Sequence, residues 1–315
     1  MKAARTVTTN QPSSGGPARP AAGAGTSDKR AGALAAIGAY GTWGLFPLMF
    51  RLLDAVSPQL IVVHRVIWSL VFVGIILKFQ GRMGEVFLAL RDRRTLLIIG
   101  LSAALLAGNW LVFIWAVGAN RVLEVSLGYF INPLVNVLLG MVFLGERQNR
   151  RQWLAIALTI VAMIVQTAGL GGVPWVSLVL AFSFGAYGYL RKTVSVGSAP
   201  GLFIETLLML PIALIYLTYL LATTGAGPHA DPRLMTYLVL TGPATAGALL
   251  MFAFAARRMR LTTLGMFQYI GPSMHFAIAI WMFREPINGV QLLSFALIWV
   301  SLGIYSFDSL NRGER

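Results

Sequence analysis

His64 and Arg65 stand side by side within the apolar run 59–79, with Trp68 and Ser69 one turn further on. Hydrocarbon penalises an ionisable group inside such a run, so it marks a functional candidate. Arg65 lies some six residues in, roughly 9 Å deep at 1.5 Å per residue. That is deeper than a side chain that merely reaches back to the headgroups. The expectation is a cation facing a water-filled cavity, with Glu124 as a candidate partner. Glu205 sits near one end of run 201–221, at the opposite membrane face from Arg65. Partly desolvated, it could carry a proton; the plainer alternative is a cap for the loop carrying Arg191 and Lys192. His64, Arg65 and Glu205 are the candidates for gating or coupling, one gate per side.

A second set is neutral and polar. Tyr129, Asn132 and Asn136 are three and four residues apart and share one helix face. Pro133 among them removes a backbone bond to residue 129 and is expected to bend the helix. Run 262–283 carries Gln268, Tyr269, Pro272 and His275 at matching depth, and Asn109 with Trp110 lies midway along run 95–117. Asn109, Trp110, Tyr129, Asn132, Asn136, Gln268, Tyr269 and His275 are therefore expected to line a central substrate cavity, with Pro133 and Pro272 supplying bends. The alternative is hydrogen bonding between helices. Such a lining suits an uncharged or zwitterionic organic molecule, and Arg65 leaves room for a carboxylate. Trp43 and Phe184 read as packing, and Glu146 and Glu285 as structural end groups.

Catalytic signatures are missing. The chain has no GxxxxGK[ST], HExxH or GxSxG. Cysteine is absent, and His64, His229 and His275 make no plausible zinc cluster. No cofactor or metal is expected, and the chain is not read as an enzyme.

The elements that must position these groups follow from composition. Of 315 residues 57% are hydrophobic and 11% charged, with a mean hydropathy of +0.73; soluble domains carry about a quarter charged residues. Ten apolar runs lie near 32–52, 59–79, 95–117, 123–144, 151–168, 173–191, 201–221, 234–256, 262–283 and 288–308, each near the ~20 residues that span a bilayer. The net charge of +14 does not point to nucleic acid, because the basic residues cluster between apolar runs. With the N-terminus inside, 20 Lys/Arg fall in inside segments and 4 in outside links, the bias of cytoplasmic loops. Both termini are then cytoplasmic, in the inner membrane. Residues 1–30 read as a disordered basic tail and 309–315 as a short C-terminal tail.

Residues 111–161 align without a gap on residues 250–300, matching Arg121, Ile131, Pro133, Glu146, Asn149 and Gln152 with Arg260, Ile270, Pro272, Glu285, Asn288 and Gln291. The halves are set at 31–170 and 171–308. Five spans in each, an odd number, require inversion. The fold class is thus an all-α membrane protein of ten transmembrane helices in two inverted five-helix repeats. A duplicated helix set commonly builds a transporter, whose halves rock about a shared site. Other readings are a membrane-embedded enzyme acting on a lipid and an uncoupled channel. The expected partners are a small-molecule substrate and the bilayer, with a homodimer possible.

HRVIWS at 64–69, GNWLVFIWAV at 108–117 and SLGYFINPLVNVLLGMVFLGER at 126–147 carry a family resemblance, extended by LAFSFGAYGYLRK at 180–192 and LGMFQYIGPSMHF at 264–276. The chain resembles the RarD branch of the EamA family, within the drug/metabolite transporter superfamily, over about residues 31–308. That resemblance implies ten helices in two inverted EamA repeats, a central cavity and secondary transport in the cytoplasmic membrane. The branch is named for a link to chloramphenicol sensitivity. Arg284 departs from the small residue more usual before the Glu of this family.

Overall fold

The computed structural model describes residues 26–119, 122–167, 175–225, 227–282 and 289–312. Among these residues the ordered elements are all helical. In chain order they are α1 (Thr26–Gly44), α2 (Phe46–Arg51), α3 (Pro58–Phe79), α4 (Met83–Arg91), α5 (Arg93–Gly118), α6 (Val122–Leu144), α7 (Arg150–Thr167), α8 (Trp175–Thr193) and α9 (Ser198–Thr224). A 3-10 turn (Gly227–Ala230) leads to α10 (Pro232–Arg258), α11 (Leu261–Phe267), α12 (Ile270–Trp281) and α13 (Gly289–Arg312). Each of the ten apolar runs forms a helix or a broken helix pair. Among the described residues, five helices are long and apolar enough to cross a membrane: Asp28–Arg51, Pro58–Phe79, Arg93–Phe113, Ser198–Thr223 and Pro232–Arg258. Gly128–Leu144 and Leu292–Tyr305 are shorter apolar helices.

The outside of the bundle is apolar. Phe79, Trp281, Leu97 and Ile212 are 70% exposed or more, which fits lipid contact and not water. The inside is built from small and polar residues. α10 is the central post, packing on α1, α3 and α8 through Thr241, Gly242, Thr245, Ala246 and Ala253. Small residues let helix backbones approach where lipid supplies no hydrophobic drive. At Gly242 the approach is closest: a Cβ there would overlap Trp68 of α3, and Ser69 Oγ donates to the Gly242 carbonyl at 3.0 Å.

Two expected spans are broken. The first divides at Leu45, where Pro47 has no N–H for the helical bond to residue 43. The ninth divides at Gln268–Tyr269, ahead of Pro272; the Gly271 N–H takes the Gln268 carbonyl at 3.2 Å instead. Pro133, by contrast, lies inside the continuous helix α6, so the expected pair of bends is realised as one break and one unbroken helix.

Among the described residues, the antiparallel helix pairs include three that join an expected span to the one five places on. Between α3 and α9, Gly74 faces Phe203 while Leu60 and Ile61 cluster with Leu217 and Leu220. Between α6 and α11, Gly140 lies against Thr262 and Gly265 against Pro133. Between α7 and α13, Asn149 donates to Asp308 and Thr159 meets Ser301 at 2.9 Å.

α4 lies between the expected runs 59–79 and 95–117, too short to be counted among the ten. It buries Val86 and Ala89 against the bundle and shows Arg82 and Glu85 to solvent, paired at 2.6 Å. Asp92 caps the following helix, accepting from the Thr95 amide at 3.2 Å and from the Thr95 hydroxyl. Those bonds hold the Asp92 carboxyl below the usual carboxylate range.

Candidate functional site

A cavity of about 270 Å³ opens between the broken helices and α3, α5, α6, α8 and α10. Its wall includes Arg65, Asn109, Trp110, Tyr129, Asn132, Gln268 and Pro272 of the expected set. The break after Gly44 adds Trp43, Phe46, Pro47 and Phe50. Aromatic residues clustered about a Gly–Leu–Phe–Pro step were the signal available in the sequence; Trp43 and Phe184 had been read only as packing. They do pack, with rings 5.7 Å apart edge to face, and they also form the wall.

Arg65 enters this wall from α3. Its Nε donates to Thr245 Oγ1 of α10 at 2.9 Å. The guanidinium lies 4.7 Å from the Trp110 ring centroid and 5.7 Å from that of Phe46. Its expected partner Glu124 has a side chain outside the described ones. Asn109 donates to the Leu180 carbonyl and to Ser183 Oγ, each at 2.9 Å, and so ties α5 to α8.

Several expected lining residues sit behind the wall instead. Asn136 is fully buried and donates through Nδ2 to Gln268 Oε1 at 3.0 Å, joining α6 to the break between α11 and α12. Tyr269 is buried and donates to the Phe130 carbonyl at 2.9 Å. Both therefore follow the alternative of interhelical hydrogen bonding, because the α6–α11 approach at Gly265 leaves no space between them for a ligand. Phe130 and Tyr269 hold equivalent places in the two aligned segments. His64 is buried on α3, where Nδ1 accepts from Trp68 Nε1 at 3.1 Å. His275 belongs to α12, but its side chain lies outside the described ones. Glu285 and Arg284 also lie outside the described residues.

Glu205 is likewise absent from the cavity wall. It is buried on α9, receiving the Ser102 hydroxyl from α5 and Tyr187 Oη from α8 at 3.4 Å. Arg191 Nη1 stands 3.6 Å from its Oε1. The sequence offered Arg191 only as a loop charge. Its neighbour across the helix pair is Gly201, where a Cβ would overlap the guanidinium. Between cavity and ion pair lie aromatic rings: Phe184 contacts Phe252 at 5.3 Å, and Tyr187 stacks on Phe252 at 5.9 Å.

Glu146 is the end group that links neighbouring helices, as expected. It accepts from the Leu261 amide at 2.7 Å, the Thr262 amide at 3.0 Å and the Thr262 hydroxyl at 2.5 Å, capping α11. Among the described residues no group of three His, Asp or Glu side chains is placed to hold a metal ion.

Comparison with known proteins places this geometry. Residues 30–167 match the EamA-like transporter family. A Vibrio cholerae protein described as an uncharacterized transporter is 45% identical over 292 residues, covering 91% of this chain and 95% of that protein. The protein RarD of Escherichia coli K12 is 42% identical over 287 residues, covering 91% and 97%. RarD of Salmonella typhimurium is 44% identical over 283 residues, covering 89% and 96%. A crystal structure 17% identical in sequence superposes with a TM-score of 0.68 over 90% of this chain and 98% of that one, a likeness of fold.

Proposed function

Because the chain belongs to the RarD branch of the EamA-like transporter family, we propose that it is a secondary transporter moving a small organic molecule across the cytoplasmic membrane by alternating access. In this reading ten spans form two inverted five-helix halves, 31–170 and 171–308, with both termini in the cytoplasm. The antiparallel packing of α3 on α9, α6 on α11 and α7 on α13 supports the inversion, since each pair joins corresponding spans.

The observation that carries the reading is the cavity, walled by residues of both halves. Arg65 lies at the cavity, while Glu205 lies in the ion pair behind the aromatic layer. The two groups hold corresponding places on α3 and α9. One half thus presents an accessible polar site where the other presents a closed one, as expected of a protein caught open to one side. Opening the second side would part Glu205 from Arg191. The freed carboxylate is the proposed proton carrier, and a proton gradient is the simplest energy source.

Reconstitution in liposomes with an imposed pH gradient tests this reading, using amino acids, nucleosides and chloramphenicol as the panel. Saturable uptake that collapses with a protonophore and is lost in Glu205→Gln is the expected result. Saturable uptake indifferent to protonophore and to Glu205→Gln would remove the coupling; linear, unsaturable flux would make the protein a channel.

A further inference from the structure

We propose that the molecule bound in this cavity is a small amphipathic carboxylate, its charge held by Arg65. The proposal rests on the transporter reading and gives it a substrate class.

The charge comes first. Thr245 occupies Nε of Arg65, and the terminal nitrogens have no hydrogen-bond or ion-pair partner among the described residues. The rings of Trp110 and Phe46 flank the guanidinium, which orients a cation but leaves its N–H groups without acceptors. No described residue of the wall carries a carboxylate. Of the acidic side chains inside the described bundle, Glu205 is used by Ser102 and Arg191, Glu146 by α11 and Asp28 by Arg258, while the side chain of Glu124 lies outside the described ones. A guanidinium at this depth is costly unless a charge of opposite sign meets it, and the described wall supplies none. A planar carboxylate meets its two terminal nitrogens in a fork geometry. A cationic ligand would meet like charge, and the ammonium of a zwitterion would find no acid in the described wall.

Asn132 Oδ1 and Tyr40 Oη belong to lining residues but are themselves closed off from the cavity, so Arg65 is the polar group the proposal relies on. The remaining lining, with Trp43, Phe46, Phe50, Phe113 and Phe184, takes an apolar or aromatic body. About 270 Å³ is at the lower edge of the ~300–1,000 Å³ of organic-ligand pockets, so that body is small.

The test is calorimetric binding to the full-length protein in nanodiscs, using five compounds that share one phenyl body. These are 3-phenyllactate, 3-phenylpropionate, 3-phenylpropanol, phenylalanine and phenethylamine. Both carboxylates without an amine should bind about tenfold or more tighter than the alcohol, the zwitterion and the amine. Arg65→Gln should bring the two acids down to the alcohol, and Arg65→Lys, which keeps the charge, should retain part of the preference. Equal or tighter binding of the alcohol, zwitterion or amine would overturn the proposal. So would binding of none of the five to protein with a normal melting transition, or acid binding unchanged in Arg65→Gln.

Flux separates this from the parent reading. Acid binding without saturable uptake would keep the site and sink transport. Saturable uptake of a neutral compound, indifferent to Arg65→Gln, would keep transport and sink the carboxylate.

Discussion

The guanidinium of Arg191 and the carboxylate of Glu205 face each other at 3.6 Å with 1% and 0% of their side chains exposed. Arg191 Nη2 also donates to the Ser198 carbonyl at 2.9 Å, while Nε and Nη1 make no hydrogen bond. The pair therefore joins α8 to α9 without satisfying every donor. That is the condition of a contact that can be exchanged, and it invites a direct measurement.

Removing one partner leaves the other charge buried. Glu205→Ala should cost about 3–5 kcal/mol, and replacing both residues by apolar ones of similar volume should recover most of that loss. Thermal unfolding of the single variants and of Arg191→Met/Glu205→Leu completes the cycle. A single variant that melts like the parent would show the pair to be energetically idle.

At Gly242 the neighbour is backbone as well as side chain: Trp68 Cβ and its carbonyl carbon occupy the place of a new methyl. Neither can rotate away, so α3 and α10 must separate. Gly242→Ala should destabilise by about 1–3 kcal/mol as an overpacked site. Because Arg65 reaches Thr245 across the same interface, its uptake should fall too. Unaltered melting and flux would contradict the tight α3–α10 seam.

Glu146 stands in for the backbone acceptors that the first turn of α11 lacks, and Arg260 flanks it at 3.7 Å. Glu146→Ala should lower stability by about 1–2 kcal/mol, in the range of a lost helix cap. Glu146→Gln, which keeps an acceptor oxygen, should lose less. Chemical denaturation of the two variants orders them; equal losses would mean that charge alone matters.

Arg65→Ala should abolish saturable uptake while leaving membrane insertion and expression normal. The guanidinium makes only one hydrogen bond to the described residues, so its removal should disturb the fold less than it disturbs the cavity. Full flux at normal expression would end its role.

The native chain has no cysteine, so single introduced thiols report sidedness cleanly. Asp54 precedes α3 and Arg94 lies in the first turn of α5, after the other end of α3, and both are exposed. Cysteines at these positions should be labelled by an impermeant reagent from opposite sides of the membrane. Same-side labelling would break the ten-span topology.

The sequence determined most of the helical runs to within a few residues, because a bilayer imposes length and apolarity on each span locally. Pattern alone also brought Asn109, Trp110, Tyr129, Asn132 and Gln268 forward as a polar set, since each is a polar or amphipathic group in an apolar run. Local pattern could not say which polar group faces a cavity and which faces a helix. Asn132 and Asn136 share a face of α6, four residues apart, yet Asn132 reaches the cavity while Asn136 meets Gln268 behind it. That choice was made by the close approach of α11 at Gly265, a contact between residues far apart in the chain. Likewise Arg191 and Glu205 are close in sequence, but only the turn that folds α9 back on α8, with Gly201 leaving room, made them a buried pair. Helices are fixed by hydrogen bonds within a few residues; partners are fixed by packing, and packing belongs to the tertiary structure.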